Sequence, residues 1–271
     1  MISDDVILSQ GICIETDTRS KNAAFLPQKH FHKHHELYFL LSGETKYFIN
    51  DEILYIHQGE SAFIKSGYIH KATYETDNNS KRILISFSID FVGRDYYEFI
   101  NRLGDKKMFS QNERVYQLFS KLCDEYNQKN DYYIEQCRNL LRELIITLLR
   151  VETCVNDKKL SENEKLIQSA TKYIRENTAE DISLKKLSEN CAMSESHFSR
   201  TFKKYTGVGV SKYIKLTRLR YAEKLLSEGR LSVTEVALKC GFLNSNYFIS
   251  EFKKYKGVTP LKYIFLNKKG K

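Results

Sequence analysis

The feature that most constrains the fold of this 271-residue chain is an internal repeat. Phe202-Lys-Lys-Tyr-Thr-Gly-Val208 recurs fifty positions later as Phe252-Lys-Lys-Tyr-Lys-Gly-Val258. Further upstream the two copies align with an offset of 49, and the one-residue change falls in a turn, where a change in length costs least. The repeat predicts two copies of one small structural unit in the C-terminal part of the chain.

Each copy has the pattern of a helix, a short turn and a second helix. Gly241 stands in the second turn, where a positive φ favours glycine, and Ala192, a weaker turn residue, stands at that place in the first. The pattern predicts helix-turn-helix units at about 184–206 and 233–256, with a linking helix at about 209–227 between them.

Capping signals mark several helix starts. Ser161-x-x-Glu164 and Ser232-x-x-Glu235 fit the capping box, in which the serine and the glutamate satisfy free backbone N–H groups reciprocally. Thr259 followed by Pro260 predicts a further start, with proline at the first helical position.

The second helix of each unit has two different faces. Aromatic residues at spacing i, i+4, i+7 are predicted to face inward, and they are Phe198, Phe202 and Tyr205 in the first unit and Phe248, Phe252 and Tyr255 in the second. The opposite face is where a recognition helix meets the major groove. The candidate DNA-binding residues on it are Ser196, Ser199, Arg200, Lys203 and Lys204, and then Ser245, Asn246, Ile249, Ser250, Lys253 and Lys254.

The positive charge lies entirely in the segment that holds the repeat. Residues 161–271 contain 22 Lys+Arg and 11 Asp+Glu, whereas residues 1–160 contain 21 and 23, so the net charge of +9 divides into +11 and −2. A solvated, lysine-rich surface would give the same excess, and one amphipathic helix would simply have a solvated face. Two copies of the same turn and helix inside a basic segment favour DNA binding.

Residues 161–271 resemble the C-terminal DNA-binding domain of AraC/XylS-family transcription regulators. The matching strings are Ile182-Ser-Leu-x-x-Leu187, His197-Phe-Ser-Arg-x-Phe-Lys203, Arg218-Leu-x-x-Ala222-x-x-Leu-Leu226, Val236-Ala-x-x-x-Gly241-Phe-x-x-x-x-Tyr247-Phe-x-x-x-Phe252-Lys and Gly257-Val-Thr-Pro260-x-x-Tyr263. The resemblance implies two helix-turn-helix units whose recognition helices enter successive major grooves, about one helical turn (~34 Å) apart.

The second recognition helix departs from the family pattern. It carries Ile249-Ser250 where family members commonly have Ser or Thr followed by Arg, so we expect no arginine–guanine contact there, and Ile249 could contact a thymine methyl. Arg200 is the candidate for a bidentate guanine contact, worth ~1–3 kcal/mol of discrimination. The four lysines of the two helices are expected either to contact phosphates, which adds affinity without sequence information, or to be solvated.

The N-terminal part has the pattern of short strands followed by helices. Runs rich in β-branched and aromatic residues at 37–41, 46–49, 53–56, 61–64 and 82–87 predict a small antiparallel barrel or sandwich. Apolar residues at helical spacing predict helices at about 111–128 and 131–153, whose stripes could form either a core or a dimer seam. The fold class expected for the whole chain is therefore α+β.

A histidine-rich segment directly precedes the first predicted strand. His30, His32 and Glu36 with Gly43, and then Gly59, Gly67 and His70, resemble the two cupin motifs, and a cupin barrel is usual at the N-terminus of AraC-type regulators. The resemblance implies an effector pocket at His30, His32, Glu36, Tyr38 and His70. We expect no bound metal or cofactor; if a metal bound, its ligands would be His30, His32, Glu36 and His70. His34 and His35 are expected at the surface or the strand end.

These observations predict four segments: a cupin-like sensor barrel at 1–110, a helical segment and candidate dimer contact at 111–155, a linker at 156–163 and a DNA-binding domain at 164–271. The leading hypothesis is a transcription regulator, not an enzyme, whose barrel senses a small molecule such as a sugar. The alternatives are a metal-dependent cupin enzyme fused to a DNA-binding domain, and a barrel that serves only for dimerisation or docking. Whether the protein activates or represses stays open.

The expected partners are double-stranded DNA, a small-molecule effector, a second copy of the chain and RNA polymerase, with no membrane. No apolar run approaches the ~18 residues of a membrane span, and the acidic start Met1-Ile-Ser-Asp-Asp5 differs from a signal peptide. Six cysteines without a C-x-x-C pair indicate reduced, mostly buried thiols. We therefore expect a cytoplasmic protein.

Overall fold

The computed structural model describes residues 9–19, 31–74, 79–153 and 158–268. The chain divides into two compact units, Met1–Lys159 and Leu160–Lys271. The division falls inside the predicted linker 156–163, of which residues 156–157 lie outside the described residues. The first unit combines antiparallel sheets with helices and the second is helical, so the α+β class is confirmed.

The first unit contains two antiparallel sheets. The larger has the strand order β1-β7-β2-β5-β8 and the smaller has the order β4-β3-β6. Their bounds are β1 (Ile12–Arg19), β2 (His35–Ser42), β3 (Glu44–Ile49), β4 (Glu52–His57), β5 (Ser61–Ile64), β6 (His70–Thr73), β7 (Ser80–Phe87) and β8 (Met108–Phe109). The five predicted strands correspond to β2, β3, β4, β5 and β7, while β1, β6 and β8 were not predicted.

The larger sheet has a different core on each face. On β2, Leu37 and Phe39 belong to a cluster shared with helices, whereas Tyr38 and Leu40 belong to a cluster shared with the smaller sheet. Because successive side chains of a strand point to opposite faces, the odd-numbered residues of β2 face the helices and the even-numbered ones face the barrel interior. Glu36 and Tyr38, the residues of the predicted pocket that belong to β2, are even-numbered and therefore lie on the face toward the barrel interior.

Helices cover the outer face of the larger sheet. They are α1 (Ile89–Val92), a 3₁₀ turn (Arg94–Tyr96), α2 (Tyr97–Lys106), α3 (Glu113–Gln128) and α4 (Tyr133–Arg150). The apolar stripes of α3 and α4 are buried in the outer cluster, with Leu118, Leu122, Leu144 and Leu148 among its members. Of the two roles that the sequence left open for these stripes, the structure shows the core role.

The second unit consists of seven described helices. They are α5 (Glu162–Glu176), α6 (Leu184–Asn190), α7 (Glu195–Thr206), α8 (Val210–Glu228), α9 (Val233–Lys239), α10 (Ser245–Lys256) and α11 (Pro260–Lys268). Both predicted capping boxes are formed, at Ser161 with Glu164 and at Ser232 with Glu235. The backbone N–H of Lys262 donates to Oγ1 of Thr259, so α11 begins at Pro260 as predicted.

Five cysteines in the described part of the chain are buried free thiols, and they are Cys13, Cys123, Cys137, Cys191 and Cys240. The sixth, Cys154, lies outside the described residues. Among the helices that the structure describes, none is both long and apolar enough to cross a bilayer.

Candidate nucleic-acid interface and barrel pocket

The first candidate recognition helix is α7. Its N-cap is Ser194, whose Oγ accepts a hydrogen bond from the backbone N–H of His197, and it ends at Gly207 in the left-handed conformation. Phe198 and Phe202 are fully buried, and the ring of Phe202 meets the ring of Tyr213 on α8 edge to face at 5.2 Å. On the opposite side, Ser196, Arg200, Lys203 and Lys204 are exposed and Ser199 is half-buried.

One predicted inward residue of this helix differs. Tyr205 is half-buried rather than buried, and the ammonium of Lys204 lies 5.5 Å from the centre of its ring. The counterpart in the second helix-turn-helix unit, Tyr255, is buried, and its hydroxyl donates to the carboxylate of Glu223 on α8 at 3.0 Å. The two recognition helices therefore differ in how their last turns are held.

The second candidate recognition helix is α10. Its N-cap is Asn244, whose side-chain oxygen accepts from the backbone N–H of Tyr247 at 3.0 Å. Phe248 and Phe252 are fully buried. Of the predicted outer residues, Asn246, Ser250, Lys253 and Lys254 are exposed, and Ser245 and Ile249 are half-buried.

Exposed apolar groups lie beside this second face and were not predicted. Leu243, immediately before the N-cap, is 100% exposed, and the Tyr247 side chain is 52% exposed. Both positions stand inside the motif of the second unit, but helical periodicity cannot place a residue that precedes the helix. The fully exposed leucine is a property that only the folded chain reveals.

A buried acid ties α10 to α8. Glu251 is 7% exposed, and its carboxylate lies 2.6 Å from the ammonium of Lys215 and 2.6 Å from that of Lys254. Hydrogen bonds from Lys215 and Lys254 lower the pKa of Glu251, so it is ionised at neutral pH. Lys254 thus shares its charge with an acid of its own helix, whereas Thr201 occupies the equivalent place in α7.

The turns of both units adopt the left-handed conformation. Gly241 has φ of +73° and Ala192 has φ of +50°, so the first turn forms even though alanine replaces glycine. At Gly241 a Cβ atom would lie 2.7 Å from the carbonyl oxygen of Thr178 and 2.9 Å from Cζ of Arg218. Glycine is therefore needed in the second turn for its close packing as well as for its φ.

Arg218 on α8 holds this turn against the first half of the unit. Its guanidinium donates to the backbone carbonyls of Gly241 at 2.9 Å, Thr178 at 3.0 Å and Glu180 at 2.7 Å. The carbonyl of Gly241 belongs to the turn of the second helix-turn-helix unit. The carbonyls of Thr178 and Glu180 precede α6, the first helix of the first helix-turn-helix unit. One side chain therefore links the two DNA-binding elements.

In the barrel, three histidines surround one buried carboxylate. Nε2 of His32 lies 3.0 Å from Oε1 of Glu36, Nε2 of His34 lies 3.4 Å from the same oxygen, and Nε2 of His70 lies 3.5 Å from Oε2. The rings of His32 and His34 stack at 3.6 Å. Of the predicted pocket residues, this brings together His32, Glu36 and His70, while His30 lies outside the described residues.

The backbone decides which nitrogen of two imidazoles carries hydrogen. Nδ1 of His32 lies 3.0 Å from the carbonyl oxygen of His34, and Nδ1 of His70 lies 3.0 Å from that of Tyr68. A carbonyl only accepts, so both Nδ1 atoms donate and both Nε2 atoms face the carboxylate of Glu36. Either imidazolium cations that donate to Glu36 or a metal cation between them satisfies this geometry.

The electrostatics favour an ionised carboxylate at this place. Burial alone would raise the pKa of Glu36, but the neighbouring His32, together with His34 and His70, holds that pKa well below its ordinary value of 4.5. The donor atoms of His32, His34 and Glu36 all lie within 4.8 Å of one another. This nitrogen and oxygen set fits a first-row divalent ion, which would be held by these residues and would supply a fixed positive charge to orient a polar ligand.

The expectation for His34 was wrong, because its side chain is only 12% exposed and belongs to the cluster. His35 stands at the strand end as expected, but it is buried between the rings of Phe63 and Phe87, and its Nδ1 accepts a hydrogen bond from the backbone N–H of Ser66. The strand begins at His35, so His32 precedes it rather than lying on it. The every-second-residue spacing that placed His32 and Glu36 on one face also includes His34, so the sequence contained a signal that His34 joins them.

A second polar group lies deeper in the barrel interior. The hydroxyl of Tyr38 is 2.8 Å from that of Thr45, its ring lies 5.3 Å from the ring of Tyr47, and the guanidinium of Arg82 lies 5.8 Å from the Tyr38 ring. Burial raises the pKa of Tyr38 and Tyr47, so both stay as neutral hydroxyls. Arg82 is paired with Asp17 through hydrogen bonds of 2.7 and 3.2 Å. The interior therefore offers hydroxyl groups and compensated charges.

Residues 17–145 match the family described as the AraC-like ligand binding domain, and residues 187–264 match the helix-turn-helix domain family. The HTH-type transcriptional activator RhaR of Enterobacter sp. (strain 638) is 24% identical over 227 residues, covering 81% of this chain and 80% of the relative. The uncharacterized HTH-type transcriptional regulator YdeC of Bacillus subtilis (strain 168) is 26% identical over 251 residues, covering 88% and 85%.

The chain belongs to the AraC/XylS family of transcription regulators. Its two matched domains make it a sequence-specific DNA-binding regulator with a ligand-sensing barrel, and not an enzyme. The hypothesis of a metal-dependent cupin enzyme is thereby set aside. Among solved structures, ToxT from Vibrio cholerae O395 is 17% identical, with 95% of this chain and 98% of that chain covered and a TM-score of 0.39.

Proposed function

We propose that this AraC/XylS-family regulator reads its operator through the exposed faces of α7 and α10 and that a small polar molecule bound inside the barrel controls promoter binding. The observation that carries the proposal is the exposure of Arg200, Lys203, Asn246 and Lys253 on helices whose opposite faces are buried. The net charge of +11 in the same unit supplies attraction to the phosphate backbone.

On the first helix, Arg200 makes the guanine contact, with Ser196 and Ser199 beside it. Lys203 and Lys204 bind phosphates, as do Lys253 and Lys254 on the second helix. Ser245, Asn246, Ile249 and Ser250 complete the second reading face. Contacts of lysine with phosphate add affinity but carry little sequence information.

The effector pocket is formed by His32, Glu36, Tyr38 and His70, with His34 added and His30 retained from the motif. A ring of imidazoles around a carboxylate, next to neutral tyrosine hydroxyls, suits hydrogen bonding to a polyhydroxylated molecule such as a sugar. The absence of a resident metal stays a prediction, which elemental analysis of the purified protein checks.

The protein acts as a homodimer in the cytoplasm, and as an activator it contacts RNA polymerase. Support for activation is the naming of several relatives as transcriptional activators. Because the apolar stripes of α3 and α4 are part of the core, a dimer contact in this region would use their outer faces. Sedimentation with and without DNA tests the dimer.

The decisive experiment maps the bound sites genome-wide and then measures affinity for one of them with the full chain. Arg200→Ala should relax sequence preference, while Lys204→Ala should weaken binding to all sequences about equally. Equal effects of both variants on preference would contradict the assignment of Arg200.

The effector assignment is tested by thermal shift against a panel of sugars. A true effector raises the unfolding midpoint in a concentration-dependent way. Glu36→Gln and Tyr38→Phe should abolish the shift, whereas Glu113→Gln, an exposed acid at the start of α3, should keep it. A shift that survives both pocket variants would place the ligand elsewhere.

A further inference from the structure

One acid lies between two lysines on the second recognition helix, α10. The two side-chain oxygens of Glu251 lie 2.6 Å from the ammonium groups of Lys215 on α8 and of Lys254 on α10. The side chain of Glu251 is 8% exposed, whereas those of Lys215 and Lys254 are 38% and 73% exposed. The acid is therefore covered by the protein, and the two cations that it holds remain accessible from outside.

A recognition helix of this chain packs without such an acid. With the offset of fifty, Thr201 stands at the equivalent place of α7, and it is also buried. A buried carboxylate carries a desolvation cost that its ion pairs do not always recover. In the part of the chain that the structure describes, the carboxylate of Glu251 pairs with ammonium groups, and no hydroxyl or amide side chain bonds to it. The lysines that it holds therefore explain its presence better than packing does.

The ion pairs change what the two lysines can do. A lysine without a partner is a point charge on a flexible stem, and it can follow a phosphate in any position of the protein along the duplex. Glu251 holds both ammonium groups at fixed places beside α10. It also leaves the three groups with a formal charge of +1 in place of the +2 of two unpaired lysines.

Lys215 lies beside α10 although it belongs to α8. Its hydrogen bond with Glu251 and, to a smaller extent, the nearby Tyr247 raise the pKa of Lys215. Tyr247, Glu251 and Lys254 follow one another at i, i+4 and i+7, so they form one stripe of the helix. Tyr247 is 52% exposed in the first turn, where a recognition helix approaches the groove. Lys215 is therefore within the DNA-binding region, although the sequence pattern did not select it.

We propose that Glu251 is a specificity-determining residue that fixes Lys215 and Lys254 as phosphate contacts suited to one register of the protein on its operator. On the operator, base contacts hold the protein where both cations meet phosphates. Elsewhere the fixed cations cannot follow the backbone, so affinity for non-operator DNA stays low, and this ratio of affinities is what selects a site in a genome. This inference rests on the proposed function of α10.

The first experiment compares a mapped operator with a shuffled duplex of the same length, using the full chain. Glu251→Gln frees both lysines, so it should tighten binding to the shuffled duplex about five- to tenfold near 0.1 M salt and steepen its salt dependence by one phosphate contact. Affinity for the operator should change by less than about twofold, because the cations already meet phosphates there. Glu228→Gln makes the same charge change at an exposed acid at the other end of α8, and it should affect both duplexes equally.

A second substitution at the same place keeps the test independent of how well glutamine is accommodated. Glu251→Thr introduces the residue that α7 carries at the equivalent position, and it should lower the ratio of the two affinities as Glu251→Gln does. The unfolding midpoint of each variant shows that the chain is folded. If both variants weaken binding to the two duplexes alike and leave the salt dependence unchanged, the acid only ties α10 to α8 and the inference is wrong.

The assignment of Lys215 has its own test. Lys215→Gln should weaken operator binding about five- to tenfold near 0.1 M salt and remove one phosphate contact from its salt dependence. Lys224→Gln, at an exposed lysine of the same helix, should change affinity by less than about twofold. An operator salt dependence that Lys215→Gln leaves unaltered contradicts the assignment. If the unsubstituted chain binds neither duplex in a salt-dependent way, the proposed function itself is wrong.

Discussion

Ala192 holds the left-handed conformation that its counterpart Gly241 adopts without strain. Its φ is +50°, and an L-residue with a Cβ pays roughly 1–2 kcal/mol there. Ala192 is exposed, so a glycine at this place loses no packing. Ala192→Gly should therefore raise the free energy of unfolding of the C-terminal unit, Leu160–Lys271, by about 0.5–1 kcal/mol. This net gain is the strain relieved minus the cost of the larger conformational entropy of glycine in the unfolded state.

Calorimetry of the full chain measures this change, because operator DNA identifies the transition of the DNA-binding unit by raising it. Ala179→Gly is the matched control, since Ala179 is exposed and does not have a positive φ. That variant should lose about 0.4–1 kcal/mol. Destabilisation by both substitutions would show that Ala192 is not strained.

The ion pair of Asp17 and Arg82 makes the stability of the barrel depend on pH. Burial opposes the charge of Asp17, but hydrogen bonds and charge from Arg82 and Arg19 lower its pKa below 3.8, so its contribution is complete above pH 3.8 and is lost as pH falls through the lower folded pKa. Asp17→Asn leaves the 5%-exposed Arg82 without its countercharge and should cost about 2–4 kcal/mol at neutral pH.

Denaturant titrations of wild type and variant at several pH values measure this cost. The difference between them should be constant above about pH 5 and should shrink below pH 3.8. Asp90→Asn removes the exposed partner of Arg94 and should change stability by less than about 0.5 kcal/mol. A difference that grows in acid would contradict the pairing.

At the scale of elements, capping chemistry and turn glycines made the helices of the second unit predictable to within a residue or two. The strands were predictable where β-branched and aromatic runs are long, as in β2 and β7. β1 was missed because polar residues such as Glu15 and Asp17 interrupt its apolar residues. β6 was missed because His70-Lys-Ala-Thr73 is not a run of β-branched and aromatic residues, and β8 because it has only two residues. Their pairing is determined by tertiary contacts rather than by local sequence.

We expect the link made by Arg218 to help set the distance between the two recognition helices. Arg218→Ala removes three hydrogen bonds from a charged donor and leaves the carbonyls of Thr178, Glu180 and Gly241 without it, at a cost of about 2–4 kcal/mol. The variant should also lose its preference for one half-site spacing, because the turn of the second helix-turn-helix unit is no longer tied to the segment that precedes the first helix-turn-helix unit.

Affinity for a series of operators whose half-sites are shifted by one or two base pairs measures this preference. Wild type should favour one spacing sharply, and the variant should bind all of them more weakly and more evenly. Arg230→Ala removes an exposed arginine that follows α8, and it should leave the spacing preference unchanged. An unaltered preference in Arg218→Ala would show that α8 alone sets the spacing.

At the scale of the whole molecule, the separation of charge predicts the salt dependence of DNA binding. The logarithm of the association constant falls linearly with the logarithm of the salt concentration, and each phosphate contact makes this slope steeper by about 0.9. Replacing Lys203, Lys204, Lys253 and Lys254 together by glutamine should lower that slope by about 3–4. The same change at four exposed lysines of the first unit, Lys33, Lys81, Lys121 and Lys129, should leave it unchanged.

Titrations of operator DNA at several salt concentrations give the slope directly. An equal drop in both quadruple variants would indicate a general effect of net charge rather than phosphate contacts on the recognition helices.

The division of charge between the two parts of the chain could be predicted from the sequence, because it needs only the position of the repeat. The histidine cluster was readable only in part, because its members come from a loop, a strand and a distant strand start that only the fold brings together.

The two-faced character of β2 has a mechanical consequence. Tyr38 lies on the interior face where we propose that the effector binds, and its chain neighbours Leu37 and Phe39 belong to the outer cluster that includes residues of α3 and α4. A close-packed strand cannot shift one set of side chains and leave the other in place. If the effector binds against the interior face of β2, as we propose, it should therefore displace the helices that pack on the opposite face.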